Sequence, residues 1–194
     1  MRGLRTKTNQ VFSATSDNEY DVLAFTETWL NSNIHSSELF SHCMLVFRSD
    51  RNFIETGKTR GGGVLLAINN KLNSILLDTS AAVKDTPFID IIGCKIIFNN
   101  VRCHVFCVYI PPKTNVSSYE IFFDNFSQLC SQLENILIVG DFNCSDFETA
   151  ASTTHCSYYT NFVNFINLQQ LNTVRNTQNV MLDLVLSNML NCDV

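Results

Sequence analysis

An aspartate and an asparagine two residues apart, following an apolar run and a glycine, form the spacing in this chain that points most directly to chemistry. In Ile136-Leu137-Ile138-Val139-Gly140-Asp141-Phe142-Asn143, four consecutive apolar residues read as a strand buried on both faces. Alternate residues of an extended segment point to the same side. The Asp141 carboxylate and the Asn143 amide therefore emerge together at the end of a rigid element. A hard divalent cation and a phosphate oxygen are what such a pair would hold. The same residues also suit an Asx turn that closes a strand, and taken alone they do not separate the two readings.

Other polar groups sit where apolar runs end. Glu27 closes Asp21-Val22-Leu23-Ala24-Phe25-Thr26-Glu27, and Tyr109 lies near the end of the run 101–110. Asp183 interrupts the wholly apolar Met181-Leu182-Asp183-Leu184-Val185-Leu186-Ser187. A carboxylate buried there must find a partner, because an unpaired buried charge is very costly. Glu27 by itself equally suits a solvated rim, and Tyr109 a core aromatic with a wet hydroxyl. A polar loop over 49–60 ends at Arg60 and runs into Gly61-Gly62-Gly63 and the strand Val64-Leu65-Leu66-Ala67-Ile68. The histidines His35, His42, His104 and His155 read as surface or rim residues.

Strands do most of the positioning. Residues 4–17 form at best a weak amphipathic helix. Strands are expected over 21–27, 44–47, 64–68 and 72–77, then over 88–98 and 101–110, with Asn99-Asn100 as a two-residue hairpin between the last two. Pro111-Pro112 stops the second arm, since neither residue can donate to a ladder. Ser117-Ser118-Tyr119-Glu120 reads as a capping box. It opens a helix whose stripe of Tyr119, Phe122, Phe123, Phe126, Leu129, Cys130 and Leu133 is a core face and nothing more. A second helix is expected over 160–171, burying Phe162, Phe165 and Ile166. Many strands and few helices in mixed order imply a two-sheet α/β sandwich rather than a doubly wound parallel sheet.

Composition narrows the classes. A chain of 194 residues with 45% apolar content builds one domain with a sizeable core. No apolar run is long enough to span a bilayer, and the basic start leads into polar residues rather than a signal-peptide core. The chain is therefore expected to be intracellular and not secreted. Eight cysteines without any C-x-x-C pair read as free thiols in a reducing compartment; Cys144, beside Asn143, is one of them. A net charge of −5 gives no electrostatic footprint for strong non-specific nucleic-acid binding, so any DNA contact is local or bridged by metal.

In order along the chain, Leu23-Ala24-Phe25-Thr26-Glu27-Thr28-Trp29-Leu30, Arg60-Gly61-Gly62-Gly63-Val64, Val108-Tyr109-Ile110-Pro111-Pro112, Gly140-Asp141-Phe142-Asn143 and Leu182-Asp183-Leu184-Val185-Leu186-Ser187 resemble the endonuclease/exonuclease/phosphatase superfamily. Within it they are most similar to the endonuclease domains of jockey-like non-LTR retrotransposons. The resemblance implies a deoxyribonuclease I-like fold: a four-layer, two-sheet sandwich of mixed strands flanked by helices, formed by residues 1–194 as one domain. It implies Mg²⁺, or Mn²⁺, held by Glu27 against a DNA phosphodiester. It further implies Asp141 orienting or deprotonating the attacking water, Asn143 steadying a phosphate oxygen, Tyr109 lining the phosphate pocket and Asp183 positioning its neighbours. Arg60 is expected to be structural or to face phosphate. A reverse transcriptase domain as partner and a nuclear location follow from the same likeness.

Two of the family's features are not matched. The family's first strand ends in an asparagine just before a segment like Arg2-Gly3-Leu4-Arg5, and its last motif is Ser-Asp-His beyond the Asp183 strand. The chain is thus expected to be an incomplete copy, weakly active or inactive. Two other readings stay open: a non-catalytic remnant that at most binds nucleic acid or protein, and a phosphoesterase of the same fold acting on inositol phosphates or sphingomyelin.

Overall fold

The computed structural model describes residues 3–16, 20–57, 60–98, 100–144 and 154–189. A 3₁₀ turn at Leu4–Thr6 precedes α1 (Thr8–Ser16), β1 (Val22–Thr26), β2 (Met44–Ser49) and the short α2 (Phe53–Thr56). There follow β3 (Val64–Asn69), β4 (Asn73–Leu77), the long arms β5 (Asp90–Phe98) and β6 (Val101–Tyr109), α3 (Val116–Cys130) and β7 (Ile136–Asp141). The last elements are α4 (Thr154–Ile166), β8 (Gln169–Gln170) and β9 (Asp183–Ser187).

Among the described residues the strands form two sheets, one ordered β1-β3-β2 and the other β4-β5-β6-β7-β9-β8. All pairs are antiparallel except β6 with β7. That parallel pair requires a crossover, which α3 supplies. Strand β3 is central in its sheet and buried at every position, as its unbroken apolar run requires.

The sheets face each other across Val64, Leu66 and Ile68 on one side and Ile92, Cys94, Ile96, Val105 and Cys107 on the other. Helices α3 and α4 cover the outer face of the larger sheet, packing Phe122, Phe123, Phe126 and Phe162 over Phe106, Val108, Ile136 and Ile138. Leu4 and Val11 from the N-terminal segment, with Leu30, Leu39 and Phe40, cover Leu65 and Ala67 on the outer face of the smaller sheet. The molecule is therefore the two-sheet sandwich expected from its strand content, with the four layers that the resemblance implied. None of its described helices is long and apolar enough to cross a membrane.

Several local expectations are corrected. Helix α3 starts before the supposed capping box: Asn115 is the N-cap, its side chain accepting from Ser118 N at 2.8 Å, a role that asparagine fills about as well as serine. Helix α4 ends at Ile166 because Asn167 takes a left-handed φ of 56°; Gln169–Gln170 then pair with β9, a strand too short to leave a pattern. The loop 49–60 contains α2, capped by Asn52 and ended by Gly57 at φ 62°. His104 is buried, its Nδ1 at 2.6 Å from the Glu134 carbonyl, so it is not a rim residue. His35 and His42 are exposed as expected, and the His155 side chain lies outside the described residues, as does Asn99 of the hairpin. The seven described cysteines are free thiols, and burial pushes those of Cys94, Cys107 and Cys130 up to about 12.

Candidate active site at the open end of the sandwich

Register lines up the polar residues. At the end of the larger sheet Asp90 pairs with Tyr109, Tyr109 with Asp141, and Asp141 with Asp183. Neighbouring strands lie about 4.8 Å apart and residues in register share a face, so these four side chains form one row. They sit in phase with Ile92, Cys107 and Val139 and so point toward the smaller sheet. Apolar pairs fill the gap between the sheets until this last rung, where it opens and polar groups replace them.

Glu27 enters from the opposing sheet, one residue beyond β1. The backbone there is left-handed at Glu27 (φ 53°) and at Trp29 (φ 55°), conformations that residues with a Cβ rarely adopt. Cross-strand bonds hold them: Thr28 N donates to Gly63 O at 3.2 Å and Trp29 N to Gly62 O at 3.0 Å. The Glu27 carboxylate accepts from the Trp29 indole N–H and, at 3.4 Å, from Gly62 N. Gly61, Gly62 and Gly63 all have positive φ. A Cβ on Gly62 would lie 2.2 Å from Nε of Arg51, so glycine is required both for the turn and for the guanidinium packed on it.

Asp141 and Asn143 are held from three sides. Asn143 N donates to Asp141 Oδ1 at 3.1 Å, and its side-chain amide donates to Ile110 O at 2.8 Å. Of the two readings of this segment the structure shows the Asx turn: β7 ends at Asp141, so the two side chains are brought together by the turn and not by extended alternation, and φ 48° at Asn143 is a conformation asparagine tolerates. Between them Phe142 points the other way into the helical layer, stacked on Phe123. The Tyr119 hydroxyl donates to Phe142 O at 3.0 Å. Tyr119 therefore does more than fill the core face of α3: it fixes the turn that carries Asn143.

The electrostatics are those of a cluster of acids at a partly dry rim. Burial pushes the Asp141 carboxyl up to about 6, helped by the nearby charges of Asp183 and Glu27 and opposed by the Asn143 hydrogen bonds. Partial loss of solvent at its carboxyl raises Asp183 although the residue as a whole is exposed, and burial, first among several causes, raises Tyr109, whose phenol is further held protonated by a hydrogen bond to Glu27 and by Asp141. Asp90 is raised by burial against the opposing pull of Arg51. The expectation that Asp183 lies inside an apolar strand and must find a buried partner is corrected. β9 begins at Asp183 and the residue is exposed, because pairing with β7 ends opposite Asp141 and leaves Met181 and Leu182 outside the ladder.

Five predicted residues, Glu27, Tyr109, Asp141, Asn143 and Asp183, thus come to one end of the sandwich. Arg60 is exposed on the loop that enters the glycine turn, without a described contact to the row. Sequence reasoning missed Asp90, Arg51 and Trp29. Asp90 carried a readable signal, an acid inside the apolar run Phe88-Ile89-Asp90-Ile91-Ile92, the same signal that singled out Asp183. Arg51, in a polar loop, carried none.

Among the described residues no three His, Cys, Asp or Glu side chains gather as a ready-made metal cage. Mg²⁺ does not demand one, since it keeps several waters and takes one or two carboxylates. The donor set fits such an ion: Glu27, Asp141 and Asp183 are hard oxygen donors whose mutual repulsion a cation would relieve, and the buried cation nearby, Arg51, is already committed to Asp90.

Residues 103–191 match the family described as endonuclease-reverse transcriptase. No curated protein sequence matches the chain. Among solved structures, the endonuclease domain of TRAS1, a telomere-specific non-LTR retrotransposon, is similar with a TM-score of 0.64 at 12% identity, over 93% of this chain and 78% of that one. The 3′ phosphatase NExo from Neisseria, bound to a product DNA hairpin, gives 0.62 at 13% identity over 96% and 83%. The catalytic domain of Xenopus laevis APE2 gives 0.59 at 9% identity over 96% and 80%. At these identities the likeness is one of fold.

Proposed function

We propose that the chain is a member of the endonuclease/exonuclease/phosphatase superfamily and a metal-dependent phosphodiesterase, specifically a DNA-nicking endonuclease of a non-LTR retrotransposon; the family match over residues 103–191 and the shared fold support this reading. The observation that carries the proposal is the row Asp90–Tyr109–Asp141–Asp183 facing Glu27 where the two sheets open. Phosphodiester hydrolysis needs an in-line water, a proton acceptor and neutralisation of the charge that develops on phosphate.

Each residue has a part its environment supports. Asp141, ionising near 6, is a carboxylate at neutral pH yet basic enough to orient a water and take its proton. Asn143 spends one amide proton on the Ile110 carbonyl, and the other, which faces the Asp141 carboxylate, is the one a phosphate oxygen would draw away. Tyr109, whose phenol proton is held on Glu27 in the metal-free site, would turn that proton to phosphate once Glu27 holds an ion. Asp183 raises Asp141 through its charge. Arg60, exposed beside the glycine turn, meets the DNA backbone. Glu27 would hold Mg²⁺ or Mn²⁺, with Asp141 beside it, and the ion supplies Lewis-acid charge neutralisation. A nuclear location and a reverse transcriptase domain as partner go with this reading, the second supported by the description of the matched family, endonuclease-reverse transcriptase.

The test is nicking of supercoiled plasmid by the purified chain in Mg²⁺ or EDTA, beside Glu27→Ala and Asp141→Ala. Weak metal-dependent nicking, as an incomplete copy of the site would give, that each substitution abolishes is expected. A folded wild type that nicks no faster than both variants would instead make the chain a non-catalytic member of its family.

A further inference from the structure

Arg51 and Asp90 form a buried ion pair, with side chains 4% and 6% exposed. Taking two charges out of water costs several kcal/mol, and a well-packed apolar pair commonly holds a fold as well or better. The pair therefore calls for a reason beyond stability, and its contacts supply one. Asp90 Oδ2 accepts Gly63 N at 2.9 Å. Arg51 donates to Asp90 and, at 2.7 Å, to Phe88 O, and its guanidinium lies 5.3 Å from the centre of the Tyr109 ring. The space beside Gly62 where a Cβ would stand is filled by that same guanidinium. Gly62 and Gly63 then make the backbone bonds that hold Thr28 and Trp29, and Gly62 N donates to Glu27.

We propose that Arg51 and Asp90 are positioning residues that clamp the Gly61–Gly63 turn from both sides and so set the Glu27 carboxylate and the Tyr109 ring for catalysis. The proposal rests on the reading of the site given above. The two charges neutralise each other, so what the pair contributes is the placement of neighbouring groups. Partners that orient a metal-binding carboxylate commonly matter 10- to 100-fold for metal affinity, although they never touch the ion.

The chain's single tryptophan makes the clamp observable without DNA, metal or turnover, because the Trp29 indole donates to the Glu27 carboxylate. Asp90→Asn keeps the shape and loses the charge; the double variant Arg51→Met/Asp90→Leu removes both charges together and is expected to stay folded if a single variant does not. Metal-free wild type and variants are compared by Trp29 emission and acrylamide quenching, then titrated with Mn²⁺, which quenches a nearby indole. Plasmid nicking is measured in parallel. The expected result is a native circular dichroism spectrum with shifted Trp29 emission, Mn²⁺ binding weakened about tenfold or more, and a fall in kcat with little change in KM for DNA. A folded variant with wild-type Trp29 emission and wild-type Mn²⁺ titration overturns the proposal. A wild type that neither binds Mn²⁺ nor nicks overturns the phosphodiesterase reading alone, since the metal-free Trp29 comparison still decides whether the pair places Glu27.

Discussion

Asp141 works against the stability of the fold it sits in. Its carboxyl is pushed from an ordinary 3.8 up to about 6, chiefly by burial and then by Asp183. A raised carboxylate pKa means the folded state binds the proton more tightly than the unfolded one, so stability falls as pH rises from about 4 to about 6, and the full penalty applies above that. The shift corresponds to at most about 3 kcal/mol, and partial solvation of the rim brings it to about 2 kcal/mol. Asp141→Asn removes the charge and keeps an oxygen for the Asn143 amide. Urea unfolding should find the variant more stable than wild type by about 2 kcal/mol at pH 7.5 and nearly equal to it at pH 4, while nicking is lost. An equal difference at both pH values would show that the carboxylate is not strained by ionisation. At this scale the sequence is legible wherever an acid stands at or inside an apolar run, because burial makes such a residue conspicuous. That criterion found Glu27, Asp141 and Asp183 and, applied evenly, finds Asp90. Arg51 escapes it because its burial comes from a distant strand, and Trp29 because an indole beside a carboxylate reads equally well as packing.

What aligns these residues is the pairing of strands, and it is here that single glycines decide the outcome. Strand β7 runs parallel to β6 with Gly140 opposite Val108 and Asp141 opposite Tyr109. A Cβ on Gly140 would stand 1.9 Å from the Val108 carbonyl oxygen and 2.8 Å from its carbon. Those are main-chain atoms held in a ladder, so the clash is relieved only by drawing β7 away from β6 at the rung that carries the site. Gly140→Ala is therefore expected to lower stability by about 2 to 3 kcal/mol and to lose more nicking activity than its melting temperature explains. A variant with wild-type stability and activity would mean that the Tyr109–Asp141 rung is not needed. Element positions were legible where periodicity was strong, as in β3, β6, β7 and the Phe-rich face of α3. Boundaries were not: Asn115 and Asn167 set helix ends through side-chain capping and a left-handed φ, which no apolar stripe records.

At the scale of the whole molecule the two-sheet sandwich could be read from the number and order of strands, whereas the order β7-β9-β8 could not, since β7 and β9 lie far apart in sequence and β8 is only two residues long. The assembled molecule then poses an electrostatic problem. It carries a net charge of −5 and presents Glu27, Asp141 and Asp183 at the mouth where, under the proposed function, a polyanion would dock, while the nearby Arg51 is buried against Asp90. Non-specific DNA binding comes from released counterions and steepens with the number of basic contacts, and here few are available. A divalent ion among the carboxylates reverses the local sign. Anisotropy of a labelled duplex should therefore show binding weaker than about 10 μM in EDTA at roughly 0.15 M salt, and clear tightening when Ca²⁺ is added to hold DNA without Mg²⁺. The slope of log affinity against log salt should be about −2 or shallower, corresponding to one or two phosphates neutralised by side chains such as Arg60. Glu27→Gln should remove the Ca²⁺ effect and leave the weak EDTA binding as it was. Tight binding in EDTA with a slope near −6 would instead reveal a basic face that docks DNA independently of the acidic row, and the metal would then serve the reaction without serving recognition.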